Sequence, residues 1–377
     1  MTAAGSTVGR EAASAEASEA LPIKRSRPWA PRLRNGGRSF LLTFILTCLV
    51  AAFLAPMLQS ASLAVKSRDQ ITQLGAPLWP ADPVTFDYNG RTLNVYQVDV
   101  NGESMTLALL TPGRTSSVFI DPANPDAPPI TWQGSWRALP RAWVFAPHWD
   151  NFSQVWDLLN YPRLLFNTVV IAVVGMIGVL VSCTLVAYGF ARFRFPGRNL
   201  LFLLLLSTIF LPTIVTTIPT YVVWRQLGVI GNPNPVLAWA PLLVPTFFAN
   251  AFDVFLLRQY FMTIPREMDE AAAMDGAGPF RTLISVIIPQ SWPVIIAVGI
   301  FHFVYSWNNF FEPLIYLTTQ PELQPLAVGL QRFNGIHSRE PSLLQAGTLM
   351  TLIIPVLVYI VFQRVFTRGV VITGVER

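Results

Sequence analysis

Glu270-Ala271-Ala272-Ala273-Met274-Asp275-Gly276-Ala277-Gly278 is a polar, helix-then-glycine stretch between two long apolar runs, and it leads on to Ile288-Pro289. Links between apolar runs are usually short and featureless, whereas this one has the composition of a surface made to be gripped by another protein. Pro265 suits the first turn of a helix, where its missing N–H costs little. Glu267, Asp269 and Glu270 then place negative charge near the positive N-terminal end of that helix. Ala271, Ala272 and Ala273 are strong helix formers whose small side chains admit another backbone at close range. Gly276 and Gly278-Pro279 stop the helix and let the chain turn. A second short helix is expected from Phe280 to Val286, with Pro289 just ahead of the next apolar run.

Of the 377 residues, 52% are hydrophobic and 12% charged, with a mean hydropathy of +0.46. Soluble domains carry about 25% charged residues, so the chain reads as a membrane protein. Cys48 and Cys183 both fall inside apolar runs, as small packing residues, and imply no disulfide framework. The net charge is +5, from 26 basic and 21 acidic residues. Lysine occurs only at Lys24 and Lys66, preceded by Ile23 and Val65, so neither completes the Gly-Lys-Ser/Thr of a phosphate-binding loop. Energy from ATP by that route has to come from a partner.

A membrane-crossing helix needs about 20 mostly apolar residues. Stretches near 39–62, 164–191, 199–222, 236–258, 291–317 and 343–366 qualify. The first follows a long tail and exceeds a signal-peptide core, so it reads as a retained anchor. Arginines near the spans set orientation. The tail carries Arg25, Arg27, Arg32, Arg34 and Arg38; the link after the second span carries Arg192, Arg194 and Arg198; the link after the fourth carries Arg258, Arg266 and Arg281; and the C-terminal end carries Arg364, Arg368 and Arg377. The expected fold class is therefore an all-α polytopic membrane protein with six transmembrane helices, both termini cytoplasmic, and a small extracytoplasmic β-rich insert between helices 1 and 2. Its parts are a disordered cytoplasmic tail over 1–36, whose basic end lies near the anionic inner leaflet, a first helix over 37–62, an outer segment over 63–160, and a core over 161–377 with a cytoplasmic loop over about 259–290. In the outer segment Asn89-Gly90 and Asn101-Gly102 separate β-branched and aromatic runs, a hairpin signal. A meander over about 84–120 is expected, with Ser117 to Ile120 as its fourth strand and the Pro-rich Asp121 to Pro129 leading back to the membrane. It is either an insertion without a ligand or a contact surface for an extracytoplasmic partner.

The loop residues resemble the "EAA" signature of ABC importer permeases: Glu270-Ala271-Ala272, three residues, Gly276, nine residues, then Val286, Ile288 and Pro289. The family usually has Ile and Leu where this chain has Val286 and Ile288. The resemblance points to the carbohydrate, maltose-permease-like branch. Phe166-Asn167-Thr168, the link Ala187 to Gly197, Trp307-Asn308-Asn309-Phe310, Pro313-Leu314, Gln363-Arg364, Arg368-Gly369 and Thr373-Gly374 are similar to that branch from about residue 160 onward. The outer insert departs from it. The resemblance implies a non-catalytic permease subunit forming half of a pore in a bacterial plasma membrane. It implies a second homologous permease as a heterodimer partner, two copies of a cytoplasmic ABC ATPase, and an extracytoplasmic solute-binding protein. The chain itself binds no cofactor, ATP and Mg being used by the partner ATPase, and nothing suggests nucleic acid. Coupling to the ATPase would fall to Glu270, Ala271, Ala272, Asp275, Gly276 and Gly278: the alanines as contact surface, Gly276 as the bend, and the two acids as hydrogen-bond acceptors.

Polar groups inside spans are costly and informative. Tyr305, Asn308, Asn309 and Glu312 recur at helical spacing, hence on one face, and together with Trp307 are the candidate substrate path. Rings pack on apolar sugar faces and amides bond hydroxyls. The same groups would also serve hydrogen bonding to the partner permease, with Trp307 and Asn308 as family architecture. His302 reads as a hydrogen-bonded packing residue, and no His/Cys cluster suggests a metal. Pro212, Pro219, Pro241 and Pro245 mark kinks. A glycerophosphodiester or phosphorylated polyol as solute would call for pore arginines, which the span interiors lack. A secondary transporter would call for internal repeats or a midplane acid pair. A membrane-anchored sensor would call for a cytoplasmic signalling domain. These last two leave the Glu270–Gly276 segment unexplained.

Overall fold

The computed structural model describes residues 30–73, 75–100, 102–335 and 339–371. Most of the expected 1–36 tail, Asn101 of the second turn, and Thr373, Gly374 and Arg377 lie outside the described residues. The chain divides into two compact units, Met1–Pro56 and Met57–Arg377. The first carries most of helix α1 (Ala30–Ala64), whose large apolar side chains between Phe40 and Leu54 stand exposed, as on a helix made for hydrocarbon.

In the second unit, α2 (Arg68–Thr72) opens a polar cap after α1. Gln70 is buried, donating from Nε2 to the carbonyls of Pro77 and Trp79 at 2.9 and 2.6 Å, while its Oε1 accepts the Ala81 N–H at 3.0 Å. Beside it burial pushes the Lys66 ammonium below its usual pKa, and Nζ donates to the Pro77 carbonyl. Strands β1 (Ala81–Pro83) and β7 (Trp143–Phe145) pair antiparallel as a stem. They bracket an antiparallel meander of β2 (Thr85–Tyr88), β3 (Arg91–Val100), β4 (Glu103–Thr111), β5 (Ser116–Ile120) and β6 (Ile130–Gln133), ordered as in sequence. Asn89 and Gly90 take φ of 48° and 76°, as a two-residue hairpin turn requires. Alternation along β3 sends Tyr96 and Val98 into one cluster with Leu107 and Phe119, and Leu93 and Val95 into another with Ala108 and Ala142. The Pro-rich Asp121 to Pro129 thus leads to a fifth strand and then the stem, not directly back to the helices.

Among the described residues, four helical segments are long and apolar enough to cross a membrane: Ser39–Ala64, Tyr161–Arg192, Ala240–Thr263 and Pro341–Gln363. Two pairs, bent by 97° and 83°, raise the number to as many as six if each is one span. After α3 (Asp150–Leu158), the 32-residue α4 (Tyr161–Arg192) is the central post. Next come α5 (Arg198–Ser207) and α6 (Thr213–Gln226), bent apart where Pro212 withholds an N–H, so the expected 199–222 span is not straight. Then come α7 (Pro235–Ala238), α8 (Ala240–Leu243) and α9 (Ala251–Thr263), the last two making up the Ala240–Thr263 span that overlaps the expected 236–258 run; it is interrupted where Pro245 sits in a 3₁₀ turn and Asn250 caps α9, its Oδ1 accepting the Asp253 N–H at 2.9 Å. The loop segment holds α10 (Glu267–Met274), α11 (Pro279–Thr282), a π-helical turn and α12 (Ile288–Gln290). Pro265 lies ahead of α10, whose N-cap is Arg266, not within its first turn. Helices α13 (Trp292–Asn308), α14 (Phe311–Tyr316), α15 (Leu326–Gly329) and α16 (Pro341–Val371) complete the unit.

Small residues let α4 sit close to its neighbours. A Cβ at Gly178 would lie 2.5 Å from Thr246 Oγ1, and one at Gly175 2.9 Å from His302 Nε2. One cluster joins Val179, Cys183 and Ala187 of α4 to Val254, Leu257 and Phe261 of α9 and to Val298 of α13. Another joins Leu164 and Ala172 of α4 to Phe303 and Trp307 of α13 and to Ala346 of α16. The irregular backbone after α14 is held by side chains. Asn167 Nδ2 donates to the carbonyls of Glu322 and Gln324 at 2.9 and 3.0 Å, Thr168 Oγ1 accepts the Leu326 N–H at 2.8 Å, and Trp239 Nε1 donates to the Leu323 carbonyl at 2.9 Å. Asn167→Leu keeps the branched shape and leaves two carbonyls unmet. It is expected to cost about 1–3 kcal/mol, read as a lower unfolding midpoint in detergent; an unchanged midpoint contradicts this account of the segment.

Candidate functional site

The Glu270–Gly278 segment is set by its turn. Helix α10 ends with the Gly276 N–H donating to the Ala273 carbonyl at 3.0 Å and the Ala277 N–H to the Ala272 carbonyl at 2.9 Å. This is a Schellman closure, and it needs the left-handed φ of 77° that Gly276 adopts. Gly278 has an extended backbone instead, φ −74°, and caps α11, its carbonyl accepting the Thr282 N–H at 2.9 Å. Of the alanines, Ala272 is buried while Ala271 and Ala273 face outward. Glu270 and Asp275 are exposed, with no hydrogen bond from either side chain among the described residues. Met274 and Phe280, on either side of the bend, are 89% and 66% exposed. The result is a small-surfaced, partly apolar knob.

The knob is tied to the end of α4. Arg192 Nε lies 3.1 Å from Asp269 Oδ2, an ion pair with the arginine side chain nearly buried. The pair is in contact without an aligned hydrogen bond, and Arg192 Nη2 donates instead to the Ile264 carbonyl at 3.0 Å. Tyr188 Oη donates to the Pro279 carbonyl at 3.1 Å. Three points, before, within and after α10, are therefore anchored to one helix turn. The link from Ala187 to Gly197 supplies these anchors, with Phe193 packed edge-on against Tyr188 at 5.5 Å. Sequence reasoning counted Arg192 only as an orienting charge and Asp269 only as a helix-dipole partner. Their pairing spans 77 positions and leaves no local signal.

A second feature is a cavity of about 690 Å³ among α4, α6, α9, α13 and α14. Tyr305, Asn309 and Glu312 line it, and Asn309 Nδ2 donates to Glu312 Oε2 at 2.7 Å. Trp307 and Asn308 do not. Trp307 is 2% exposed and stacked on Phe303 in the core, while Asn308 donates to the Val304 carbonyl on an exposed face. The single-face expectation fails because α13 stops at Asn308: Asn309 is extended and Glu312 lies in the first turn of a separate helix. His302 also lines the cavity, its buried Nε2 with no hydrogen-bond partner among the described residues, which corrects its reading as a hydrogen-bonded packing residue. Sequence reasoning passed over Thr213, Thr216, Thr217 and Thr220, which line the cavity from α6. Their three-four-seven spacing was visible in the chain. Among the described residues no group of three or more His, Cys, Asp and Glu is placed to hold a metal.

Residues 178–370 match the family model described as binding-protein-dependent transport system inner membrane component. The chain is 29% identical to the osmoprotective compounds uptake permease protein GgtD of Synechocystis sp., over 78% of this chain and 96% of that one. It is 33% identical to the sn-glycerol-3-phosphate transport system permease protein UgpE of Yersinia enterocolitica, over 62% of this chain and 83% of that one. Among solved structures, a chain of a bacterial ABC transporter involved in the import of the acidic polysaccharide alginate superposes with a TM-score of 0.58 at 20% identity, covering 90% of this chain and 98% of that one, a likeness of fold.

Arg192→Met leaves the Asp269 carboxylate without its counter-charge and is expected to loosen the knob by about 1–3 kcal/mol. Limited proteolysis within 265–281 should accelerate by roughly one order of magnitude for each 1.4 kcal/mol lost. Adding Asp269→Asn should recover part of the protection, because the coupling belongs to the pair. Equal cleavage of wild type and Arg192→Met contradicts the anchoring role.

Proposed function

Because the chain belongs to the family of binding-protein-dependent transport system inner membrane components, we propose that it forms half of the pore of an ATP-driven importer whose motor docks on the Glu270–Gly278 knob. The chain is the non-catalytic, membrane-embedded component. A second, related permease would complete the pore, two cytoplasmic ATPase copies would drive it, and an extracytoplasmic binding protein would deliver the solute. The orientation that fits places both termini and the knob in the cytoplasm of a bacterial cell and the five-stranded insert outside.

The observation that carries this reading is the knob itself: Ala271, Ala273 and Met274 turned outward, closed by Gly276 and braced by Arg192. ATP binding would draw the two ATPases together and push their docked knobs. A brace to the end of α4, itself packed on α9 and α13, passes that push to the helices lining the cavity as a rigid displacement. Ala271 and Ala273 make close approach possible; Ala272, expected as contact surface, instead packs inward beneath them. Glu270 and Asp275 offer unpaired acceptors to the motor, and Gly278 starts the return helix.

For the solute, Tyr305, Asn309 and Glu312 at the cavity suit a sugar or other polyhydroxylated molecule. The Synechocystis relative is named for uptake of osmoprotective compounds. The Yersinia relative is named for sn-glycerol-3-phosphate, which favours a phosphorylated polyol as the second reading. The test is to purify the tagged chain in mild detergent and identify what accompanies it by mass spectrometry. A second permease and an ATPase carrying a phosphate-binding loop are expected. Gly276→Asp puts a side chain in the left-handed region at a cost of about 1–2 kcal/mol and a charge on the docking face; it should leave the chain inserted and lose the ATPase. Purification alone or as a homomer, with no ATPase after crosslinking, sinks the reading.

A further inference from the structure

We propose that the α6 wall of the cavity is a hydroxyl-reading face that admits uncharged polyhydroxylated solutes and rejects phosphorylated ones, with Thr216 and Thr217 as its specificity-determining residues. The proposal rests on the importer reading above and assigns the solute class for the half of the path this chain supplies.

The case is one of counting protons. A threonine hydroxyl has one hydrogen to donate and two lone pairs to accept with. On α6 the hydrogens are already committed. Thr216 Oγ1 donates to the Thr213 carbonyl at 2.9 Å, Thr217 Oγ1 to the same carbonyl at 2.8 Å, and Thr220 Oγ1 to the Thr216 carbonyl at 2.7 Å. Such back-bonding is ordinary for threonine in a helix; what is particular here is that every one of these residues lines the same cavity. Across the cavity Thr246 does likewise, donating to the Leu243 carbonyl at 2.6 Å. Asp253 and Glu312 are acceptors only, each already taking one N–H, from Asn250 and Asn309.

On the α6 wall a solute therefore meets lone pairs, opposite two carboxylates. The donors elsewhere in the lining are neutral groups, among them the amides of Asn250 and Asn309 and the His302 ring, and no Arg or Lys is among the described residues that line the cavity. Sugar hydroxyls each bring a donor and satisfy this wall. The Tyr305 and Ser306 hydroxyls on α13, able to rotate, let a sugar oxygen also accept. A phosphate group carries about −1.5 to −2 charge at neutral pH and offers acceptor oxygens. It would set like charge against Asp253 and Glu312 and leave the threonine lone pairs unmet. Sites built on hydrogen bonds discriminate most strongly through such unpaired groups.

The experiment uses the whole importer, with its partner permease, ATPases and binding protein, in proteoliposomes. Radiolabelled sucrose, trehalose, maltose and sn-glycerol-3-phosphate are supplied one at a time, and the ATPase that co-purifies with each variant reports assembly. The fastest solute is expected to be one of the uncharged sugars. For that solute, Thr216→Val and Thr217→Val, which keep the shape and delete the acceptor, should each lower uptake at limiting concentration by up to about tenfold, through KM. Thr216→Ser and Thr217→Ser, which keep the hydroxyl, should restore most of it. Fastest uptake of sn-glycerol-3-phosphate overturns the proposal and leaves the importer reading standing. So does valine uptake equal to wild type, or serine variants as impaired as valine. Absence of any assembled ATPase removes the importer reading and this inference with it.

Discussion

A chain in hydrocarbon has no water to meet its backbone N–H and C=O groups, so every departure from a helix must be satisfied by the protein itself. The second unit follows from that constraint. Where the chain breaks after α14, Asn167, Thr168 and Trp239 meet its backbone groups. Where it breaks before α9, Asn250 caps the new helix. At Gly276, in the exposed link between spans, the Schellman closure likewise satisfies the last carbonyls of α10 within the chain. Two of these breaks border the cavity, and the third forms the knob proposed to dock the motor. Polar residues that read as a cost to a membrane helix are here what allows irregular structure at those points.

The same logic explains why α4 is the post of the unit. Gly175 and Gly178 let Thr246 and His302 come close, its lower face packs on α9 and α13, and its C-terminal end holds the knob through Arg192 and Tyr188. A push on the knob meets one continuous helix instead of a chain of loops. The partial burial of the Arg192–Asp269 contact matters, because an exposed pair would be worth about 0–1 kcal/mol and could not transmit a displacement.

Elements built from local rules were legible in the chain. The apolar runs, the Asn89-Gly90 turn, the alanine helix and its glycine stop all carry their signal within a few residues. Elements set by distant partners were not. Strand β6 is four residues behind a Pro-rich stretch and exists because β5 offers an edge. Pro212 marked a kink at that point, but nothing local in the sequence gives its angle of 97°. At the candidate site, the period of Tyr305, Asn309 and Glu312 led to the cavity for a partly wrong reason, since the helix assumed to carry them stops at Asn308 and the backbone, not the helical repeat, brings Glu312 round. Trp307 was misplaced because a core aromatic and a sugar-stacking aromatic look alike in one sequence. The threonines of α6 were overlooked because a hydroxyl reads as weakly polar until the fate of its hydrogen is known.

The account's central claim is that the knob bears on the motor. Its most direct measurement is site-directed crosslinking from Met274→Cys, with Cys48 and Cys183 replaced by serine, in membranes where the whole importer is expressed. Met274 is 89% exposed, and Val144 in the insert, 53% exposed, serves as the control cysteine. The account predicts a crosslink from position 274 to an ATPase subunit whose yield changes when ATP is added, and none from position 144. Equal yields from the two positions, or no crosslink to an ATPase from 274, would contradict it.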